Sequence, residues 1–379
     1  MAINAKGYLR PVQHGALDAA QEAAIVKVCP GLGQTVVAAD REDHPLWGPF
    51  LSMYTGHASD PDLRHAGASG GGLSAAAVWL LESETVDAVI LTAADPDNPL
   101  GNRTMVARSR ADVLSAAGSR YAPASPLAGL RDHLIPGARH AFVGKPCDAA
   151  ALRAMIARDP TLEAAIPVVL SFFCAGTPSL SGARRVVERM GANPDALRAF
   201  RYRGMGWPGY ATATLADGST RQMSYAESWG QVLSKFVQHR CRICADGTGA
   251  AADLVFADVW ETDAEGYPLF EEQDGESLIV VRTALGGSLL ARMVEGGHIT
   301  AAAFDPAALA AMQPGQRKRR QGLLARLAAL RLLGRPVPHY RGLRLWAAMR
   351  QGSLGRSARN FFGMLRRGLR RDRSRRGAG

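Results

Sequence analysis

The sequence predicts an α/β fold: a mostly parallel sheet with flanking helices, an inserted β-hairpin region and a basic helical C-terminal tail. Three observations carry that expectation. Short continuous apolar runs at 86–92, 140–143 and 166–173 alternate with helical patterns, as strands buried on both faces of a covered parallel sheet do. Two strand-like stretches flank Asp217-Gly218, a turn pair suited to a hairpin. From Arg317 to Gly379, nineteen Lys+Arg stand against one acid, Asp372, so that segment carries +18 while residues 1–316 carry −7.

A chain of 379 residues is long enough to bury a sizeable core. It divides by texture into an N-terminal segment (1–66), an α/β domain (67–300) and the basic tail (301–379). No run of eighteen apolar residues offers a membrane span. The first residues lack the charged head and apolar stretch of a secretory signal. A cytoplasmic location is therefore expected, where five cysteines are free, metal-bound or catalytic rather than paired.

In chain order, 18–28 has the pattern of a short helix stopped by Cys29-Pro30-Gly31, and 45–56 that of a loop rich in aromatics and glycine. Ala68-Ser69-Gly70-Gly71-Gly72 opens a helix whose Leu73, Ala76, Ala77, Leu80 and Leu81 share a face. Glycines before a helix start can present amides to a phosphate of a nucleotide or flavin, or can be only a turn. A strand at 86–92, a loop at 95–102, a strand at 106–109, a helix at 111–117 and a second loop at 119–127 follow.

The next two units share a plan. The run 140–143 leads into Gly144-Lys145-Pro146-Cys147, with Asp148 as N-cap of a helix over 149–158. The run 166–173 leads into Cys174-Ala175-Gly176-Thr177-Pro178 and a helix over 180–190. Cysteines that follow parallel strands should share the rim where such sheets bind ligands. A loop of arginines, aromatics and glycines spans 200–209, able to stack on an aromatic ligand or simply to pave a surface. The hairpin occupies 210–225, and a helix over 228–239 delivers Cys241-Arg242-Ile243-Cys244. Strands at 253–258 and 276–283 complete the sheet. A cysteine alone is commonly a core thiol; Cys147, Cys174, Cys241 and Cys244 together supply the four thiolates of a [4Fe-4S] cluster. Four-cysteine zinc is the competing reading, although structural zinc usually takes two close pairs.

Four motifs in this order, Ala68-Ser69-Gly70-Gly71, Val143-Gly144-Lys145-Pro146-Cys147, Phe173-Cys174-Ala175-Gly176-Thr177-Pro178-Ser179 and Cys241-Arg242-Ile243-Cys244-Ala245-Asp246, make the chain resemble the coenzyme F420 hydrogenase/dehydrogenase beta-subunit family, which includes hydroxymethyl-chlorophyll reductases. The likeness covers roughly residues 20–290. It implies an FAD-dependent iron-sulfur oxidoreductase that passes electrons between a [4Fe-4S] cluster, FAD and an organic substrate or deazaflavin coenzyme. By resemblance, Ser69, Gly70, Gly71 and Gly72 with Gly144, Lys145 and Pro146 approach the flavin, and the four cysteines hold the cluster. An electron-donor protein such as ferredoxin, or a redox partner subunit, is implied as partner. Of the N-terminal ferredoxin-like cysteine run frequent in the family only Cys29-Pro30 is present. Lys145 stands where threonine is frequent, and Ala175 where histidine is.

The tail has helical spacing at Leu323, Leu324, Leu327 and Leu330, and again at Phe361, Phe362, Leu365 and Leu369, with Arg366, Arg367, Arg370 and Arg371 alongside. A basic amphipathic pattern predicts contact with an anionic membrane surface, placing the protein peripherally on the inner face. Nucleic-acid binding fits poorly, because the tail has no fold motif for it and the body is acidic. The tail is expected to be separable from the body. The alternative function is a membrane-tethered, zinc-stabilised binding module without turnover.

Overall fold

The computed structural model describes residues 1–260, 269 and 272–376, with side chains described as far as residue 369. Its main sheet is built from β1 (Ser52–Gly56), β2 (Ala88–Ala94), β3 (Asn102–Ala107), β4 (His140–Gly144), β5 (Val168–Phe172), β6 (Leu254–Asp258), β7 (Ser277–Val281) and β8 (Ala302–Ala303), in the order β8-β1-β7-β6-β5-β4-β2-β3. The run β2-β4-β5-β6 is parallel. The strands on either side of it pair antiparallel, so the sheet is mixed, with its parallel part at the centre.

Strands read as continuous apolar runs because both faces are covered. Alternate residues divide between two cores. Val89, Leu91, Val143, Leu170, Leu254, Phe256 and Ile279 pack with Trp79, Leu80, Leu289 and Met293. Ile90, Phe142, Val169, Val255, Leu278 and Val280 pack with Leu152, Ile156, Trp47 and Phe50 on the other side. Helices α2 (Gly72–Glu82) and α5 (Ala284–Glu295) supply the first face, and α3 (Pro146–Ile156) the second. The helix α1 (Ala19–Val28) forms as expected, closed by an Asp18 capping box with Gln21.

Several elements differ from expectation. Ser52–Gly56, placed by sequence in a loop, pairs with β7 and β8 inside the main sheet. Strand β3 begins at Asn102 rather than 106, since its register with β2 runs from Val89–Ala107 to Ala94–Asn102. The hairpin Ala211–Leu215 with Thr220–Met223 gains a third strand, Leu197–Arg201, whose last two residues fall in the loop expected at 200–209; it packs on α4 (Leu180–Arg189) through Phe200, Val186 and Val187. The helix expected over 228–239 is helical but divided: a π-helix at Ala226–Val232, a 3-10 helix at Leu233–Phe236 and a separate short α-helix at His239–Arg242.

The largest difference is at the C-terminus. Helices α6 (Pro314–Gln321), α7 (Leu323–Leu332) and α8 (Leu354–Arg376) are docked on the body. The stripe expected to face lipid, Leu323, Leu327 and Leu330, is buried with Val36, Ile243, Ala245 and Ala250, and Met364, Phe361 and Leu365 of α8 close the same cluster. An apolar stripe at helical spacing looks the same in sequence whether it faces lipid or protein, and here protein covers it. Arg370 and Arg371 lie outside the described side chains. Among the described residues no helix is long and apolar enough to cross a membrane.

Candidate cofactor cleft and cysteine centre

A cleft of about 290 Å³ opens at the carboxyl end of the parallel strands, lined by Ser69, Gly71 and Gly72 on one side and by Gly144, Lys145 and Cys174 on another. Its location follows from the topology: β4, β5 and β6 run parallel and end together, and the residues after them form the rim.

The glycine turn is shaped by close backbone approach. Gly70 and Gly71 have φ of +65° and +69°, conformations that favour glycine, and a Cβ on Gly71 would sit 2.3 Å from the Leu63 carbonyl oxygen. Gly70 does not line the cleft; its carbonyl accepts from the Ala58 amide at 2.8 Å. Helix α2 starts at Gly72 with a glycine, Gly71, at its N-cap position and so no cap from its own side chain; the Gly72 amide donates to Ser277 Oγ at 3.3 Å, and Leu73 and Ser74 line the cleft beside it. The positive end of the helix dipole borders the cleft there.

Ser69 is tied elsewhere. Its hydroxyl donates to Asp258 Oδ1 at 2.6 Å, and the same carboxylate accepts from Trp207 Nε1 at 2.9 Å and from Arg203 Nη1 and Nη2 at 2.9 and 2.7 Å. Arg203 lies over the rings of Tyr225 and Trp260 at 4.7 and 4.9 Å, and Trp207 stacks on Trp260 at 4.9 Å. The arginine-aromatic loop thus builds one wall of the cleft around a buried ion pair. Asp258, at the end of β6, organises this wall, and sequence analysis singled it out only as a strand end.

Lys145 precedes α3, which begins at Pro146, so Cys147 lies inside its first turn; the cap expected at Asp148 is the third helical residue, accepting from the Lys145 amide at 3.2 Å. Pro146 is buried in this helix start and does not line the cleft. Lys145 Nζ pairs with Asp148 at 2.5 Å. Burial opposes its charge, but Asp148 and Cys147 outweigh that and hold the ammonium protonated above the usual lysine range.

The other cysteines converge from separate loops. The Cys174 amide donates to the Gly247 carbonyl at 2.9 Å, and the Thr177 amide to Cys241 Sγ at 3.4 Å. Burial pushes the Cys147 and Cys174 thiols up and the Cys244 thiol up to about 12. Cys244 adds to the rise at Cys147, Cys241 to that at Cys174, and Cys241 and Cys174 to that at Cys244; Lys145, Arg240 and Arg319 pull the other way. Burial thus favours the protonated thiol at these three positions, and metal uptake would have to release those protons. All five cysteines are unpaired. Among the described residues no three Cys, His, Asp or Glu side chains are gathered around one point as a single ion requires.

Residues 53–131 match the N-terminal, and residues 137–307 the C-terminal, description of "Coenzyme F420 hydrogenase/dehydrogenase, beta subunit". The chain belongs to the coenzyme F420 hydrogenase/dehydrogenase beta-subunit family. Coenzyme F420 hydrogenase subunit beta of Methanococcus voltae is 26% identical over 300 residues, 77% of this chain and 99% of that protein. An uncharacterized protein of Methanocaldococcus jannaschii is 25% identical over 203 residues, 52% of this chain and 51% of its own length. A chain in the F420-reducing [NiFe] hydrogenase complex from Methanosarcina barkeri shares the fold, with a TM-score of 0.55 at 19% identity over 74% of this chain and 96% of that one. The matched regions hold the cleft turns and Cys147, Cys174, Cys241 and Cys244, of which Cys174 lines the cleft, and stop before α6.

Proposed function

We propose that this protein is an iron-sulfur flavoprotein oxidoreductase, with FAD in the cleft and a [4Fe-4S] cluster on Cys147, Cys174, Cys241 and Cys244. The observation that carries this reading is the juxtaposition of two loops: the glycine turn at the start of α2 and the loops bearing Lys145 and Cys174 line one cleft. The donor set fits: four thiols from three loops, with Lys145, Arg240 and Arg319 beside them to offset the negative charge that four thiolates bring.

A bound flavin and cluster would supply hydride and one-electron chemistry between them. The chain supplies the rest. Ser69 and Gly71 shape the floor, Arg203 and Trp260 hold a wall that excludes water, and Lys145 keeps a proton and a positive charge at the border between cleft and cysteines. The organic partner is a deazaflavin coenzyme or another planar acceptor, by analogy with the F420-linked relatives. A redox partner subunit or a ferredoxin-like donor delivers the electrons, in the cytoplasm, where unpaired cysteines persist.

Metal, flavin and visible-spectrum analysis of anaerobically purified protein tests this. About four irons per chain with flavin absorbance is expected; one equivalent of zinc without flavin would establish the binding-module alternative instead.

A membrane-surface role narrows to the outer face of α8, where Arg359, Phe362, Arg366 and Leu369 share one exposed side. Basic and apolar groups alternating there suit anionic lipid. Salt-sensitive binding to phosphatidylserine vesicles that is lost in R359E/R366E is expected; undiminished binding in that variant would rule the face out.

A further inference from the structure

The segment beyond the family match ends its own polar groups on the cysteine loops. Arg319 Nη2 donates to the Cys174 carbonyl at 2.6 Å and Arg326 Nη1 to that of Arg242 at 3.0 Å. Tyr340 Oη donates to the Ile243 carbonyl at 2.8 Å, and Arg320 Nη1 to that of Ala245. Four carbonyls of the two metal-site loops therefore have partners from residues 319–340. Arg320 reaches two further carbonyls, Pro45 at 3.1 Å and Leu343 at 2.6 Å, and is buried.

Arg319 bonds the Cys174 carbonyl directly and its charge acts on both the Cys174 and the Cys244 thiols. Its guanidinium lies over Gly247: a Cβ there would sit 1.6 Å from Nη2 and 2.5 Å from Gln316 Oε1. Glycine at 247 is what lets an arginine from another element reach this place. Gln316 holds the same Nη2 at 2.7 Å and lines the cleft, while Gln313 Nε2 donates to the Asp258 carbonyl at 2.7 Å. Helix α6 thus touches both the flavin wall and the cysteine centre.

We propose that residues 313–343 form a fixed cover of the cysteine centre, and that Arg319 is a positioning residue whose charge sets the reduction potential of the group held there. This rests on the cluster reading above. A cation beside a negatively charged cluster favours its reduced form, because net charge and hydrogen bonding around the thiolates are what a protein uses to place the potential. Lys145 and Arg240 belong to the matched region and flank the cysteines, whereas Arg319 comes from the segment beyond it.

The test is a redox titration, with iron and folded content measured in parallel, of the full-length protein and of R319Q, R319K and G247A. R319Q should shift the midpoint to more negative values. G247A should reproduce the shift, because the added methyl displaces the guanidinium while leaving its charge in the chain, and R319K should lie closer to wild type. Equal potentials in wild type, R319Q and G247A with full iron would overturn the proposal while leaving the cluster assignment standing. A wild-type protein without iron would overturn the cluster reading, and the proposal with it. Should R319Q lose iron, G247A decides: a shifted midpoint supports the charge role, and an unshifted one overturns it.

Discussion

Replacing Asp258 by alanine removes the acceptor of four hydrogen bonds at once, from Ser69, Trp207 and both terminal nitrogens of Arg203. Arg203 is 2% exposed and, among the described residues, would keep the Pro208 carbonyl at 2.6 Å and the faces of Tyr225 and Trp260. Stripping one partner from a buried pair costs about 3–5 kcal/mol, most of it the penalty on the charge left behind. The freed Trp207 indole adds roughly 1 kcal/mol, whereas Ser69 borders the cleft and can turn to water. Against a total stability on the order of 5–15 kcal/mol, D258A should therefore lose a large share. D258N, which keeps an acceptor and the shape, should lose less. The assay is equilibrium urea unfolding followed by circular dichroism at fixed cofactor content, run as a cycle with R203A and the double variant. Because R203A/D258A no longer buries an orphan charge, its cost should fall short of the sum by about 1–3 kcal/mol. An additive cycle, or a D258A protein within about 1 kcal/mol of wild type, would refute the view that this carboxylate organises the cleft wall.

Alanine at Cys147, Cys174, Cys241 or Cys244 should bleach cluster absorbance, with Cys29→Ala unchanged; full absorbance in C174A would break the ligand assignment. Deleting 317–379 should lower iron content and solubility, since it bares Val36, Ile243, Ala245 and Ala250 and unpairs four loop carbonyls; a soluble, fully loaded truncation would show the cover to be dispensable. His44 Nδ1 accepts from the Leu46 and Trp47 amides at 3.1 and 3.4 Å, and burial lowers its pKa below 6.5. The native state then binds fewer protons than the unfolded one, so stability should fall as pH drops from 6.5 toward the lowered native value; a pH profile in H44N as steep as wild type would exclude this histidine as the source.

The parallel centre of the sheet was legible because strands covered on both faces announce themselves as apolar runs, and because Cys147 and Cys174 stand just after two of them. What was illegible depends on distant pairing. Ser52–Gly56 is a strand only because β7 offers it a register 225 residues away, from Gly56 to Ser277 down to Ser52 and Val281. The glycine turn at 69–71 was found, but its meaning was half seen. A carboxylate placed at Gly71 would strike the Leu63 carbonyl before it met any phosphate, so Gly71→Asp would report on folding rather than on flavin. Asp258 and Arg203 lie 55 residues apart, and no local pattern ties them.

The basic segment shows why a charge count does not describe a surface. Its +18 suggested an anionic partner outside the molecule, yet Arg319, Arg320 and Arg326 spend their donors on carbonyls within it. A guanidinium suits that use because its donors fan out in a plane and can meet acceptors in different directions. Arg320 does so with three carbonyls from three parts of the chain, Pro45, Ala245 and Leu343. An ammonium carries three donors on one atom and could not span them. Burial lowers the Arg320 pKa, but nearby Asp246 and Cys244 favour its charge, as four metal-bound thiolates would more strongly. If the four cysteines hold a metal group as proposed, Arg319, Arg320 and Arg326 gain from the negative charge of its thiolates, so this part of the C-terminal charge answers to the loops it covers and not to a partner outside.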